Sequence, residues 1–462
     1  RCMFVKTRVE KMIRSIGHSG SSRVIAKSAT LVGAWLVVCI LGHAQRPSEN
    51  ALFTRGRFTE VRLKGLTVRL GDPVEITSQI GWHMNWPQHN TWSFVHLTPI
   101  AARFPNGELI VTYTLDPDTQ ANPIFLSGFQ MSKDGGEHWG LRYGVIMQHI
   151  PMIFIPQPDD SLMALPSELM SQTPGDDRNL RGPLWRFEQG GKRMVMEPDG
   201  VRVVSWPWPV TVEPGTQPRP NWHHEFMFTG SWLKIGGRLL ATVYWGKKGE
   251  KNSSGWHVLN LALADSVDGG HTWHYYSTIA SPSEILPQAE WDKKRFEGPN
   301  ESSIIRLADG ELMVVFRVGS YLGWHLRRAY SRDNGRTWTK PDVLPAYSVE
   351  PRMLRIANGT IVLATGRPGI HLWLSTDARA RTWQDVDIVA HHNQWAPNAS
   401  YRIAPLDPNN PQGGWQTSSY TGLIEVAPNR LLLVYDRDPE RAPAGPEDLS
   451  RVFVLPIEVQ RQ

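Results

Sequence analysis

Apolar and polar residues alternate in short runs along most of this chain, the period-2 pattern of strands with one buried face. Six times, two such runs flank a pair of turn-forming residues: Asn106-Gly107, Asp159-Asp160, Gly236-Gly237, Asp309-Gly310, Asn358-Gly359 and Asn429-Arg430. Segments such as SSIIRLADGELMVVF and RMLRIANGTIVLAT each predict two antiparallel strands joined by a tight hairpin, because Asn, Asp and Gly accept the backbone angles of such turns. Six hairpins predict six blades, and hence an all-β, six-bladed β-propeller. Residues 52–76 alternate in the same way and are expected to close the ring beside a C-terminal strand at 451–459.

A second repeat has the form Ser-x-Asp-x-Gly-x-Thr-Trp. Its copies begin at Ser132, Ser266, Ser331 and Ser375 and end at Trp139, Trp273, Trp338 and Trp383; the first has His138 in place of the Thr, and the last is one residue longer, with Ala380 in place of the glycine. The Asp side chain is suited to bonding turn amides, and the Trp to anchoring the hairpin. These turns fall between the later strands of four blades; the blade around 150–215 and the last blade lack one. In a four-stranded blade the start of strand one and the end of strand two share a rim. The turn between strands three and four lies on the opposite rim. The repeated Asp residues are therefore read as structural, and a site is sought on the first rim.

Composition adds three points. The 462 residues include 40 Gly and 35 Pro with only 20% charged, which suits one domain of many short strands and turns. The apolar stretch 29–41 follows Arg14, Arg23 and Lys27 and ends in Gly42-His43-Ala44, the pattern of a signal peptide. It predicts a leader over 1–44, a single domain over 45–462, and a secreted or periplasmic location; Arg1 is no initiator, so residues before Met12 are expected to precede the true start. The basic balance belongs to this leader, since the remainder holds 42 basic and 43 acidic residues, and it does not argue for nucleic acid. Both cysteines, Cys2 and Cys39, also lie in the leader, so the domain is expected to rest on its core, without disulfides. No metal-ligand spacing and no phosphate-binding loop is found, so neither metal nor cofactor is expected, and the protein is expected to be a monomer.

Several polar residues fall on the first rim. Glu301 precedes the first strand of blade four and Arg317 ends its second; Glu350 and Arg352 open blade five and Arg367 ends its second strand. Tyr420 opens blade six, Asp116 and Asp118 follow the second strand of blade one, and His223, His224 and Glu225 open blade three. Each also has a plain structural reading, as an ion pair, a core tyrosine, a turn residue or a strand edge. The 20 Trp are mostly read as packing, with Trp82, Trp86, Trp92, Trp222 and Trp415 near rim segments where a ring can stack on a sugar.

The repeated octapeptides resemble the Asp-boxes of the sialidase superfamily, and the resemblance spans roughly residues 90–440. It implies the propeller fold, and it extends to the rim. Asn300-Glu301 with Arg317, Arg367 before its Asp-box strand, Tyr420-Thr421, and Asp118 ahead of the first box match parts of a sialidase site. The family's first Arg is missing: in FVHLTPIAARFPNG, His96 or Leu97 takes its place, and Arg352 is left to supply a third guanidinium by another route.

Arginines bind carboxylates through paired, charge-assisted hydrogen bonds, so Arg317, Arg367 and Arg352, with His96, are expected to bind an acidic oligosaccharide or glycoconjugate. The resemblance implies an exo-acting glycoside hydrolase in which Tyr420 attacks, Glu301 takes its proton and Asp118 protonates the leaving oxygen. Two alternatives stay open: a propeller-fold lyase on uronate glycans, with His96 or Tyr420 removing a proton, and a non-catalytic sugar-binding propeller.

Overall fold

The computed structural model describes residues 51–54, 56–79, 97–114, 126–147, 151–166, 169–171, 178–188, 193–208, 226–251, 257–291, 296–319, 324–347, 349–404, 416–438 and 449–462. Six strands line a central axis: Leu97–Arg103, Pro151–Pro156, Phe226–Ile235, Ser302–Arg306, Arg352–Arg355 and Thr421–Ala427. Each touches the next, and the last touches the first, so the ring is closed. Every inner strand pairs antiparallel with the strand that follows it, and all six of the turns named above join these pairs. The protein is a six-bladed β-propeller, as the sequence predicts.

Blades I, IV and V are simple four-stranded meanders. Their second strands, Leu109–Thr114, Leu312–Phe316 and Ile361–Gly366, are buried at every residue. A second strand has a neighbouring blade on each face, so both of its side-chain rows are apolar. Between blades IV and V this layer contains Met313, Val315, Leu344, Met353, Ile361 and Leu363, all buried. Each such side chain contributes roughly 1.5–3 kcal/mol by leaving water.

The ring closes as expected, with one refinement. The C-terminal strand Ser450–Arg461 is the third strand of blade VI. Val74–Gln79 pairs with its first half, and Leu66–Gly71 with its second. Phe58–Leu63 adds a further strand to that hairpin. Residues 58–79 and the strand Ser450–Arg461 are thus held in one sheet.

The Ser-x-Asp turns show why their residues recur. In three of them the Ser hydroxyl donates to the Asp at 2.7–2.8 Å and accepts from the Gly amide at 2.8–3.0 Å. The Asp carboxylate accepts a further backbone amide, and the Trp indole N–H donates to the Gly carbonyl at 2.9, 2.8 and 3.2 Å. Gly335 sits at φ +88°, a conformation glycine takes without strain, and a Cβ there would lie 2.6 Å from Leu263 Cδ1 of blade III, so that leucine would have to shift. In the fourth copy Ala380 takes φ +51°, and the Trp383 indole N–H finds no acceptor.

Two features depart from the sequence reading. The stretch around 150–215 is not one blade. Trp185–Phe187 and Met194–Met196 complete blade II, whereas Met170–Ser171, Leu180–Gly182 and Val201–Val203 extend the outer edge of blade III, with Val201–Val203 parallel to Thr272–Ala280. A helix, Ile388–Trp395, also follows blade V, capped by Asp387, whose carboxylate accepts from the Ala390 amide at 2.9 Å.

Candidate active site

The first rim gathers the residues that precede inner strands and follow second strands. The hairpin register of blade IV places Glu301 opposite Arg317, and backbone bonds Asn300 N to Arg317 O and Arg317 N to Glu301 O, both 3.0 Å, carry the ladder past the strand ends. Both side chains then lean over the axis. Tyr420, immediately before Thr421–Ala427 in blade VI, reaches the same point.

Tyr420 Oη donates to Glu301 Oε1 at 2.6 Å. Arg317 Nη1 donates to Glu301 Oε2 at 2.8 Å and to Tyr420 Oη at 3.2 Å. Blade V lies between and supplies the Glu350 amide, 3.0 Å from Glu301 Oε2. Arg317 Nη2 donates to Glu297 Oε2 at 2.7 Å. Glu297 was not among the residues singled out in the sequence. The only hint is an acid four positions before Glu301.

Arg367 completes this group. Its Cζ lies 5.5 Å from the centroid of the Tyr420 ring, and its Nη2 donates to the Ser418 carbonyl at 3.5 Å. Among the described residues no carboxylate pairs with it. Arg352 sits apart. It is 7% exposed, its Nη2 lies 2.8 Å from Glu350 Oε1, and its Nε donates to the Thr421 carbonyl at 3.2 Å. The Arg352 and Glu350 charges touch without aligned N–H vectors, so this is an ion pair more than a hydrogen bond. The guanidinium lies against Gly230, where a Cβ would be 1.4 Å from Nη1. Arg352 also lines a cavity of about 470 Å³ within the channel, ringed by inner-strand residues of all six blades, among them Ala101, Phe154, Trp232, Ile304 and Leu423. The expected third guanidinium is therefore buried on Glu350 and does not join Arg317 and Arg367. Asp118 and His96 lie outside the described residues, as do Asp116, the 223–225 segment and the leader.

Strained backbone marks the same rim. Val349 at φ +118°, Arg367 at φ +53° and Ser419 at φ +66° precede or form its key residues. A β-branched residue at positive φ is costly and persists only where its surroundings hold it. Here Thr365 Oγ1 donates to the Val349 carbonyl. Tyr420 has its own support, which the sequence reading also missed. Asp436, fully buried, accepts from Thr417 Oγ1 at 2.8 Å, from the Ser418 amide at 2.7 Å and from Ser418 Oγ. Ser418 Oγ in turn accepts from the Tyr420 amide at 3.2 Å.

The site separates its acids. Burial alone would raise Glu301, but the Arg317 charge and the bonds from Tyr420 and Arg317 outweigh it and hold the carboxyl below its ordinary value. Burial, and then the Glu301 charge, push the Tyr420 phenol well above its ordinary value. Burial lifts Glu350 to about 7 against the pull of Arg352. The resting pair is thus a carboxylate at Glu301 and a neutral phenol at Tyr420.

No family model and no curated protein matches this chain. Solved structures do. A protein of unknown function from Dyadobacter fermentans superposes with a TM-score of 0.56 at 18% identity, covering 86% of this chain and 100% of that one. The α-L-arabinanase of Penicillium chrysogenum, complexed with arabinobiose, follows at 0.51 and 15%, covering 83% and 98%. A Hadza microbial sialidase matches at 0.49 and 14%, covering 80% and 66%. At these identities the likeness is one of fold.

Proposed function

We propose that the chain is a retaining, exo-acting glycoside hydrolase whose nucleophilic centre is the Glu301–Tyr420 pair. The observation that carries this reading is the 2.6 Å contact between two residues two blades apart, locked by Arg317 on a strained rim. The buried Glu350–Arg352 pair stands below it in the channel, which favours a chain terminus over a threaded polymer.

The charge in the pair sits on Glu301, which makes Glu301 the attacking group towards a sugar with an uncharged anomeric centre. Its Oε forms a bond to the anomeric carbon while the glycosidic C–O bond breaks, and the leaving oxygen takes a proton from an acid, the role expected of Asp118. Water then cleaves the glycosyl ester. Tyr420 steadies the carboxylate through its hydroxyl. A second reading follows the sialidase resemblance. There Tyr420 attacks as Glu301 accepts its proton, which suits a sugar whose own carboxylate repels Glu301.

Fluorinated glycosides that trap the intermediate test both. Peptide mass spectrometry of the trapped protein is expected to find the adduct on Glu301; an adduct on Tyr420 selects the second reading. Turnover without any trapped adduct, or with an ultraviolet-absorbing unsaturated product, removes the retaining hydrolase altogether.

A further inference from the structure

The acidic sugar expected from the sequence requires a guanidinium whose N–H fork is open to the substrate. Arg317 is the best-placed candidate, and its fork is closed. Both Nη1 hydrogens are used, one on Glu301 and one on Tyr420. Nη2 is used on Glu297. The remaining edge begins at Nε, which is shut off from solvent. A carboxylate ligand needs two parallel N–H bonds from adjacent nitrogens, and Arg317 offers no such pair. Arg352 is likewise held by Glu350 and buried. Arg317 is thus balanced by both Glu297 and Glu301, and Arg352 by Glu350, which leaves Arg367, bonded to the Ser418 carbonyl, as one guanidinium without a carboxylate partner among the described residues where the resemblance implies a clamp of three.

Glu297 is the member that sets this balance from the substrate side. Its side chain is 31% exposed, against 13% for Glu301 and 8% for Arg317, so it lies outermost of the three. Its carboxylate stands on Arg317 where a ligand carboxylate would stand. Its backbone is fixed on both sides, with the amide donating to the Val318 carbonyl at 3.1 Å and the carbonyl accepting from the Leu259 amide at 2.8 Å. We infer that Glu297 is a specificity-determining residue, a built-in carboxylate that fills the anion position on Arg317 and restricts the site to sugars with no carboxylate there. This inference rests on the proposed hydrolase only in calling the ligand a substrate. The occupancy of Arg317 stands apart from any turnover.

The test is calorimetric titration of the full chain with N-acetylneuraminic acid and with glucuronic acid. The wild type is expected to give no saturable binding of either. Glu297→Gln keeps the shape, removes the charge and leaves Nη2 only a neutral amide oxygen that a ligand carboxylate can displace, and is expected to bind both acids at least about tenfold more tightly than the wild type. Adding Arg317→Lys to that variant is expected to cancel the gain, because lysine lacks the fork. Where Glu297→Gln does not fold, Glu297→Asp draws the carboxylate back from Nη2 and is expected to show a smaller gain of the same sign. Saturable binding of either acid by the wild type, or no gain in the folded variants, overturns the inference. A gain in variants of a protein that cleaves no glycoside leaves the inference standing and removes the hydrolase.

Discussion

Tyr420 of blade VI donates a 2.6 Å hydrogen bond to Glu301 of blade IV, across the inner end of blade V. No local sequence motif joins these residues, which stand 119 positions apart. What joins them is the closure of the ring, which brings the heads of first strands together over one axis.

The two members of this pair are expected to differ in what their loss does. Glu301→Gln removes the attacking charge, and turnover should fall by about six orders of magnitude, as for loss of an enzyme's nucleophile. Tyr420→Phe removes one hydrogen bond to it, and kcat should fall about tenfold to a hundredfold with little change in KM. Steady-state kinetics on an aryl glycoside compares them. A Tyr420→Phe protein as dead as Glu301→Gln would shift the attack to the phenol.

Trp338→Ala is expected to weaken the fold without altering the choice of sugar. Trp338 packs between blades, and its indole N–H is shared by the Gly335 carbonyl and Ser277 Oγ, both at 3.2 Å. Removing a large packed aromatic costs roughly 3 kcal/mol. Denaturant melts should register that loss. Unchanged stability combined with lost sugar binding would place Trp338 in a site instead.

Arg352→Ala leaves Glu350 buried without its counter-charge; breaking such a pair costs up to about 3–5 kcal/mol where Glu350 stays charged, and less where it takes up a proton, since burial already lifts it to about 7. Replacing both, as Glu350→Gln with Arg352→Met, should recover much of the stability, since no lone charge remains. Gly230→Ala should mimic the single loss, because its Cβ would occupy the place of Arg352 Nη1. Thermal unfolding of the four proteins checks this. A double variant less stable than Arg352→Ala contradicts it.

Asp436 gives a pH signature. Burial raises its carboxyl to about 7, from an ordinary 3.8, against the hydrogen bonds from Ser418 and Thr417. A carboxyl raised in the folded state stabilises the fold fully below about 4, and that stabilisation is lost as pH rises through about 7. Asp436→Asn cannot titrate. The Tm difference between wild type and Asp436→Asn should therefore shift against the wild type between pH 4 and 8. A difference that stays flat across this range would show that Asp436 keeps its charge throughout.

The sequence by itself determined the elements whose physics is local. Hairpin turns need Asn, Asp or Gly within a few residues of their strands, so six blades were countable. The Ser-x-Asp turns bond within eight residues, so their structural role was readable before any fold. Strand order then assigned Glu301, Arg317, Arg367 and Tyr420 to one rim, because each adjoins a strand end. Only the tertiary structure decided how the charges on that rim are shared. Which carboxylate meets which guanidinium depends on distances of about 3 Å between blades, and no spacing along the chain encodes them. That is why Arg352, grouped by sequence with Arg317 and Arg367, lies buried on Glu350, and why Glu297 and Asp436 went unnoticed. The helix Ile388–Trp395 and the addition of three short strands from the 150–215 stretch to the edge of blade III were hidden for the same reason. Short segments take the pairing their neighbours offer, and the neighbours are set by the ring.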